Sequence, residues 1–379
     1  MELTDKQTQF QQEMREFCEQ EIEPNAAQID RDGEFPADVI NKVADRGLLG
    51  MVAPKEWGGL GLDTVSYAIA VEEISRACGS TGITVAAHNS LGVMPMVLFA
   101  NDKQKNEYLA LLCSGKDGLC SFGLTEPDAG SDAGATKTTG VRDGDDWIIN
   151  GGKCFITNAG VCKALVITAK TQKIQGSRGI SSFIIDRDTP GFVIGKKENK
   201  MGLRGSDTRE LSFENVRLPA TKMLGNEGEG FKQFMIILDG GRISIGAMAL
   251  GLAQGAYDSC LKYIRENRKS LINSQAVQFQ LADMHVKIQC ARHLILHASR
   301  LEDANQTFSV ESAMAKLYAS EIGTEVARTA MQIVGPDAYS SELPLERIYR
   351  DVRLCEVGEG TSEIQRLVIA RDIIKCDLS

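Results

Sequence analysis

Two changes of hydrophobic period constrain this chain more than any other feature. From residue 1 to about 118, apolar residues recur at helical spacing, as at Phe10, Met14, Phe17 and Ile22 within 7–22. Further helices are predicted over 35–48, 65–76, 91–99 and 103–112, with a glycine-rich loop on Pro54 at 52–61. From about Gly118 the texture becomes short β-branched or aromatic segments between Gly, Asp, Asn and Pro turns, at 119–124, 147–149, 153–157, 164–169, 179–186, 191–194 and 210–218. That is the pattern of antiparallel strands. From about Glu227 the helical period returns and predicts five long helices: 231–252, interrupted near Gly240-Gly241, then 255–267, 275–304, 309–334 and 362–374. The expected fold is α+β. An N-terminal helical domain (1–118) precedes a middle antiparallel β-barrel or sandwich (119–226) and a C-terminal helical bundle (227–379).

Composition removes several classes of function. A net charge of −9 with no basic patch argues against nucleic acid and anionic membrane as partners. The ten cysteines are scattered, form no CxxC pair and lack ligand company, which points to a reduced cytoplasmic compartment. His293 and His297 stand four apart on a helix, without HExxH or a third ligand, so no metal site is expected. The start, MELTDKQ, lacks a signal-peptide core, and no run reads as long enough to span a membrane. There is no Rossmann GxGxxG, P-loop or GxSxG elbow; the glycine-rich 225–230 carries two glutamates, which repel phosphate.

Five stretches come into question for chemistry. The segment 122–132, FGLTEPDAGSD, leaves a strand for a small-residue turn that can hold a phosphate or the polar edge of a ring, or can be a plain β-turn. At 155–158, FITN sets an aromatic beside a threonine, fit to stack on and bond a flat heterocycle, or simply a core Phe and an edge Thr. Within Asp239-Gly-Gly-Arg242 the arginine can meet a phosphate or form an i, i+3 ion pair. Arg347, Arg350, Asp351 and Arg353 read as a solvated charged face. Last, Glu359 lies between Gly358 and Gly360, before Thr361 and Ser362 and the helix they can cap. A carboxylate there serves as a base, as a neighbour of an anion site, or as an ordinary solvated cap, and the cap is the commoner use.

Together these stretches resemble the acyl-CoA dehydrogenase family over nearly the whole chain. TEPDAGSD at 125–132, FITN at 155–158, LDGGR at 238–242, LADM at 281–284 and EGTSEIQ at 359–365 stand in the family's order and near its spacing, in the manner of its short- and medium-chain, butyryl-CoA-like members. The resemblance implies FAD as cofactor and a short- or medium-chain acyl-CoA as substrate. It also implies a homotetramer or dimer, and electron-transferring flavoprotein as redox partner. Phe122, Leu124, Thr125, Gly130 and Ser131 would line the flavin, with Phe155, Ile156 and Thr157 on its other side. Ser131, Asp239, Arg242 and Gly360 would meet the substrate; Thr361 and Glu363 would meet the ADP part of FAD. Glu359 would take the α-proton while the β-hydride passes to the flavin N5, giving a trans-2-enoyl-CoA, or the reverse in an enoyl-CoA reductase. The other reading within this fold is a non-redox, lyase-type derivative whose flavin is structural or absent.

Two segments depart from the family pattern. RKSLINSQ at 268–275 lacks the usual Phe-Gly and Pro and is several residues short, and Gln332-Ile-Val-Gly335-Pro336 replaces Gln-x-x-Gly-Gly. The resemblance assigns Arg268, Gln275, Gln332 and Gly335 to the ADP half of FAD across a subunit boundary. Proline at 336 removes an N–H from that subsite, so looser flavin binding is expected.

Overall fold

The computed structural model describes residues 2–172 and 176–376. The N-terminal part holds helices α1 (Asp5–Phe17), α2 (Ala26–Asp32), α3 (Ala37–Asp45), α4 (Thr64–Ala77), α5 (Gly79–Ala87), α6 (Met94–Phe99) and α7 (Asp102–Ser114). Complete capping boxes start α1 (Thr4 with Gln7) and α7 (Asn101 with Gln104), so two orphan N–H groups are satisfied at each end. The sequence signal did not predict α5. Its GSTGITVAA is poor in helix formers and every residue is buried, so no polar face marks the period. Its glycines permit close packing: a Cβ at Gly82 would fall 2.2 Å from Ser75 Oγ. A π-helical turn, His88–Val93, then joins α5 to α6.

The middle part is an eight-stranded sheet: β1 (Leu119–Gly123), β2 (Thr139–Asp143), β3 (Asp146–Thr157), β4 (Cys162–Lys170), β5 (Ile180–Asp186), β6 (Phe192–Lys197), β7 (Thr208–Pro219) and β8 (Met223–Leu224). The ladder runs β6-β7-β3-β2-β4-β5-β8, with β1 added on β4. Most pairs are antiparallel as expected, but β1 runs parallel to β4, and β2 meets β4 in a parallel bridge at Thr139 and Lys170. Trp147, Ile149, Ile156, Leu165, Ile167, Phe183 and Phe213 fill its interior. The segments 147–149 and 153–157 prove to be one strand, β3, broken in register between Lys153 and Ile156.

The C-terminal part comprises α8 (Gly230–Asn267), α9 (Gln275–Asp303), α10 (Ser309–Val334), α11 (Leu345–Val352), α12 (Leu354–Val357) and α13 (Ser362–Cys376). The expected interruption at Gly240-Gly241 is absent: α8 is one helix of 38 residues, about 57 Å long. Each interior glycine costs a helix about 1 kcal/mol, a loss offset here by burial against α4, α5, α9, α10 and α11. Gly251 and Gly255 let α4 approach; a Cβ on Gly251 would meet Glu72 O at 2.2 Å. Two helical stretches, 79–99 and 230–267, are in fact apolar and long enough to cross a bilayer. In each, 72% of the most apolar window is buried inside the protein, so that apolarity is accounted for by the core.

Of the run Arg347, Arg350, Asp351 and Arg353, only Arg353 is solvated. Arg350 forms a fork with Asp30 of α2 at 3.0 and 2.6 Å, and Arg347 and Asp351 are buried. The Asp351 carboxylate accepts the Leu203 N–H at 2.5 Å, tying the middle part to the C-terminal helices. Sequence order could not show this, because the partners lie more than a hundred residues away. Of the nine cysteines whose side chains are described, all are free thiols; eight are buried and Cys290 is exposed.

Candidate active site

Glu359 lies on the turn between α12 and α13. Its backbone is left-handed (φ 52°), as is that of Gly360 (φ 95°). A side chain at 360 would be strained by that conformation, and its Cβ, 2.7 Å from Gln365 Nε2, would displace the Gln365 amide. For glutamate the left-handed region carries a cost on the order of 1 kcal/mol, which the surrounding packing must impose. Thr361 caps α13, its hydroxyl accepting the Ile364 N–H at 3.4 Å, and Glu363 points outward in the first turn. The cap reading thus holds for Thr361 and not for Glu359.

Instead, the Glu359 carboxyl turns inward, and neither oxygen is exposed or hydrogen-bonded among the described residues. It rests on the backbone of α8, where a Cβ on Gly241 would lie 2.1 Å from Oε2. Burial pushes its pKa up to about 8, against the pull of Lys316 and Arg242. Tyr67 of α4 lies near enough to feel the Glu359 charge, and its hydroxyl donates to Ala86 O at 3.1 Å. A buried carboxyl with both oxygens lacking a hydrogen bond is expensive, and among the buried side chains left unsatisfied in the described residues Glu359 is the one carboxyl, which marks it as a candidate for function.

Asp239 and Arg242 form the i, i+3 ion pair that the sequence left open, at 2.6 Å. Arg242 is only 1% exposed and also approaches Ser309. It therefore stands as a buried charge beside Glu359, with Nη1 engaged by Asp239 and Ser309 and Nε without a partner among the described residues.

The segments 122–131 and 155–157 meet. Cys154 N–H donates to Thr125 O at 2.8 Å, and the Ser121 hydroxyl donates to Thr157 O at 2.9 Å. Phe155 sits at the register break of β3 with φ 58°, and the bulge leaves the residue 68% exposed. Thr125, Thr157, Phe122 and Leu124 are half-buried; Gly130 and Ser131 are open, with no atom within 4 Å of a Cβ placed on Gly130. Ile156 does not line this surface with its side chain, which packs in the sheet interior. An exposed aromatic on a strained backbone, beside two half-buried threonines and an open small-residue turn, fits a flat heterocycle such as a flavin. Phe122 stacks on Phe234 of α8 at 6.0 Å, and Phe234 precedes Gly241 by two turns, so this surface and Glu359 are about 10 Å apart along the helix.

Sequence reading missed the support beneath this surface. Lys153 and Glu126 form a buried pair at 2.7 Å, and Lys153 also donates to Leu124 O at 3.0 Å. Glu126 accepts from the Lys137 and Thr138 N–H groups and from the Thr136 hydroxyl. Despite burial, the Lys153 ammonium and these donors hold Glu126 well below the usual carboxylate range. The available signal was a lysine at an inward position of a strand.

Arg268, Gly335 and Asp337 come together at the far end of α8. Arg268 pairs with Asp337 at 3.2 Å, and Gly335 (φ 80°) passes close by. Gln275 and Gln332 are exposed. From Gly241 to Arg268 the helix rises about 40 Å, so these residues and Glu359 of the same chain do not face one site.

The family is shown by comparison with known proteins. Models of the acyl-CoA dehydrogenase N-terminal, middle and C-terminal domains match residues 4–116, 121–216 and 228–374. The chain is 48% identical to a probable acyl-CoA dehydrogenase of Bacillus subtilis, covering 99% of both chains. It is 45% identical to the mitochondrial short-chain specific acyl-CoA dehydrogenase of Bos taurus, over 99% of this chain and 92% of that one. The butyryl-CoA dehydrogenase structure from Megasphaera elsdenii superposes with a TM-score of 0.95 at 38% identity, over 99% of each chain. With its three parts in order and its buried carboxylate poised over α8, this chain belongs to the acyl-CoA dehydrogenase family of FAD-dependent oxidoreductases.

Proposed function

We infer that the protein catalyses α,β-dehydrogenation of a short- or medium-chain acyl-CoA to the trans-2-enoyl-CoA, with Glu359 as the base. The same groups serve the reverse reduction of an enoyl-CoA. The observation that carries this reading is the inward, unpartnered Glu359 carboxyl with its pKa near 8. An α-proton beside a thioester is weakly acidic, so a base of raised pKa shortens the gap that proton transfer must cross. Its free oxygens have no competing donor among the described residues, and Gly241 leaves them room to reach a substrate carbon. The Glu359 N–H on the left-handed turn is the chain's own donor for the thioester carbonyl, whose oxygen gains charge as the proton leaves. FAD, when bound, accepts the β-hydride. Phe155, Thr157, Thr125 and the 130–131 turn would hold its ring system. The relatives do not favour the lyase-type alternative.

Electron-transferring flavoprotein as redox partner, a cytoplasmic setting and the division at 118 and 226 belong to the same proposal. So does a homotetramer or dimer: a second copy would bring Arg268, Gln275, Gln332 and Gly335 to this chain's cofactor. The test is Glu359→Gln. It keeps flavin and acyl-CoA binding and loses α-proton exchange with deuterated solvent; undiminished exchange would rule out Glu359 as the base.

A further inference from the structure

Behind the Glu359 turn lies a group that the reaction as derived does not use. Lys316, near the start of α10, is fully buried on a face otherwise made of Ser312, Ala313, Ala319, Ser320 and Gly323. Its ammonium donates to Gly360 O at 2.6 Å, and the side-chain amide of buried Gln365 donates to the same carbonyl at 2.9 Å. Two donors from two helices thus converge on one peptide, directly after the carboxylate. These two bonds hold the peptide that follows two successive positive-φ residues, Glu359 and Gly360.

We propose that Lys316 and Gln365 are positioning residues that lock the Glu359–Gly360 turn, and that Lys316 also supplies the positive charge that sets the proton affinity of Glu359. The proposal rests on Glu359 being the base. Lys316 is an unusual choice for a clamp, because burial disfavours its charge and lowers its pKa to about 8. A neutral donor such as Gln365 would hold the carbonyl without that cost. The charge is retained where it faces Glu359, with Arg242 from α8 as the second cation and Tyr67 of α4 as the neutral neighbour. Cys355 and Glu356 of α12 are the remaining ionisable groups around Lys316. Lys316 lowers the Glu359 pKa from what burial alone would impose, which leaves a base that ionises near pH 8.

The two roles separate by substitution in the FAD-loaded enzyme with butyryl-CoA as probe. Lys316→Met removes charge and clamp: the acidic limb of the kcat/KM profile moves to higher pH by about one unit. The resulting roughly tenfold loss at pH 7 is partly recovered at pH 10. Gln365→Met removes one donor and no charge: kcat falls by on the order of tenfold at every pH, KM changes little, and the limb stays in place. A merely structural lysine would lower activity without moving the limb. An unmoved limb in Lys316→Met overturns the electrostatic role, and an unchanged kcat in Gln365→Met overturns the positioning role. Should Lys316→Met not fold, Lys316→Gln is read for the same limb. Retained α-proton exchange in Glu359→Gln would instead refute the assignment of the base, independently of Lys316.

Discussion

Gly241→Ala separates catalysis from stability in a single methyl group. The new Cβ would lie 2.1 Å from Glu359 Oε2, whereas real contacts of this kind are not closer than 3.0 Å. Leu91 Cδ2, at 3.8 Å, leaves the methyl otherwise accommodated, so the carboxylate is what must retreat, by about 1 Å. A displacement of that size from a near-attack position lowers kcat by on the order of 100-fold. The same change replaces glycine by alanine inside a long helix, which by itself stabilises by about 0.5–1 kcal/mol. The expected variant is therefore at least as heat-stable as the parent and binds butyryl-CoA, yet reduces its flavin about 100-fold more slowly in single-turnover stopped flow. Gly240→Ala is the control: its Cβ meets Glu302 Oε1 at 3.3 Å and not Glu359, so it gains helix stability while keeping its rate. Full activity in Gly241→Ala would refute the placement of Glu359; equal losses in both variants would refute the argument that this contact is specific.

Three further expectations follow from the geometry. Lys153→Met strands a buried Glu126 carboxylate and frees the 124–138 loop, at a cost of about 3–5 kcal/mol in chemical denaturation; a loss under 1 kcal/mol would mean the pair does not support the loop. Glu359→Gln removes a group whose folded pKa is near 8, against an ordinary 4.5. Such a carboxyl contributes stability below about pH 4.5 that is lost as pH rises to about 8, so the variant should melt higher than the parent at pH 9 and similarly at pH 4; parallel melting curves at all pH values would contradict the burial argument. Asp337 already engages Arg268, so the protein should shed FAD on gel filtration without added cofactor, and Asp337→Asn should retain it more tightly, on the order of threefold. Full flavin occupancy in the parent after dilution would count against a compromised subsite.

The three-part fold was legible because period is a local property. A strand alternates every two residues and an amphipathic helix every three to four, whatever the partner. The failures have the same root. Helix α5 is buried on all sides and shows no period, and Gly240-Gly241 looked like a break because burial against five other helices leaves no local trace. Arg350 read as solvated because its partner Asp30 is 320 residues away. Lys153 and Lys316 were passed over because a lysine in isolation reads as surface, although each occupies a core-facing position of its element.

For the site, the division is sharper. The sequence by itself determined the identity and order of the chemical groups: a threonine–glycine–serine turn, an aromatic next but one to a threonine, a carboxylate between glycines. It could not determine whether Glu359 caps a helix or faces inward, because both use the same residues in the same order. The tertiary structure decided that by bringing Gly241 under the carboxylate, Arg242 beside it and Lys316 behind the next peptide, from helices tens of residues away, with Gln365 of the following helix turned back onto the same peptide. Proton affinity depends on which charges and how much water surround a group, and only the folded chain fixes both.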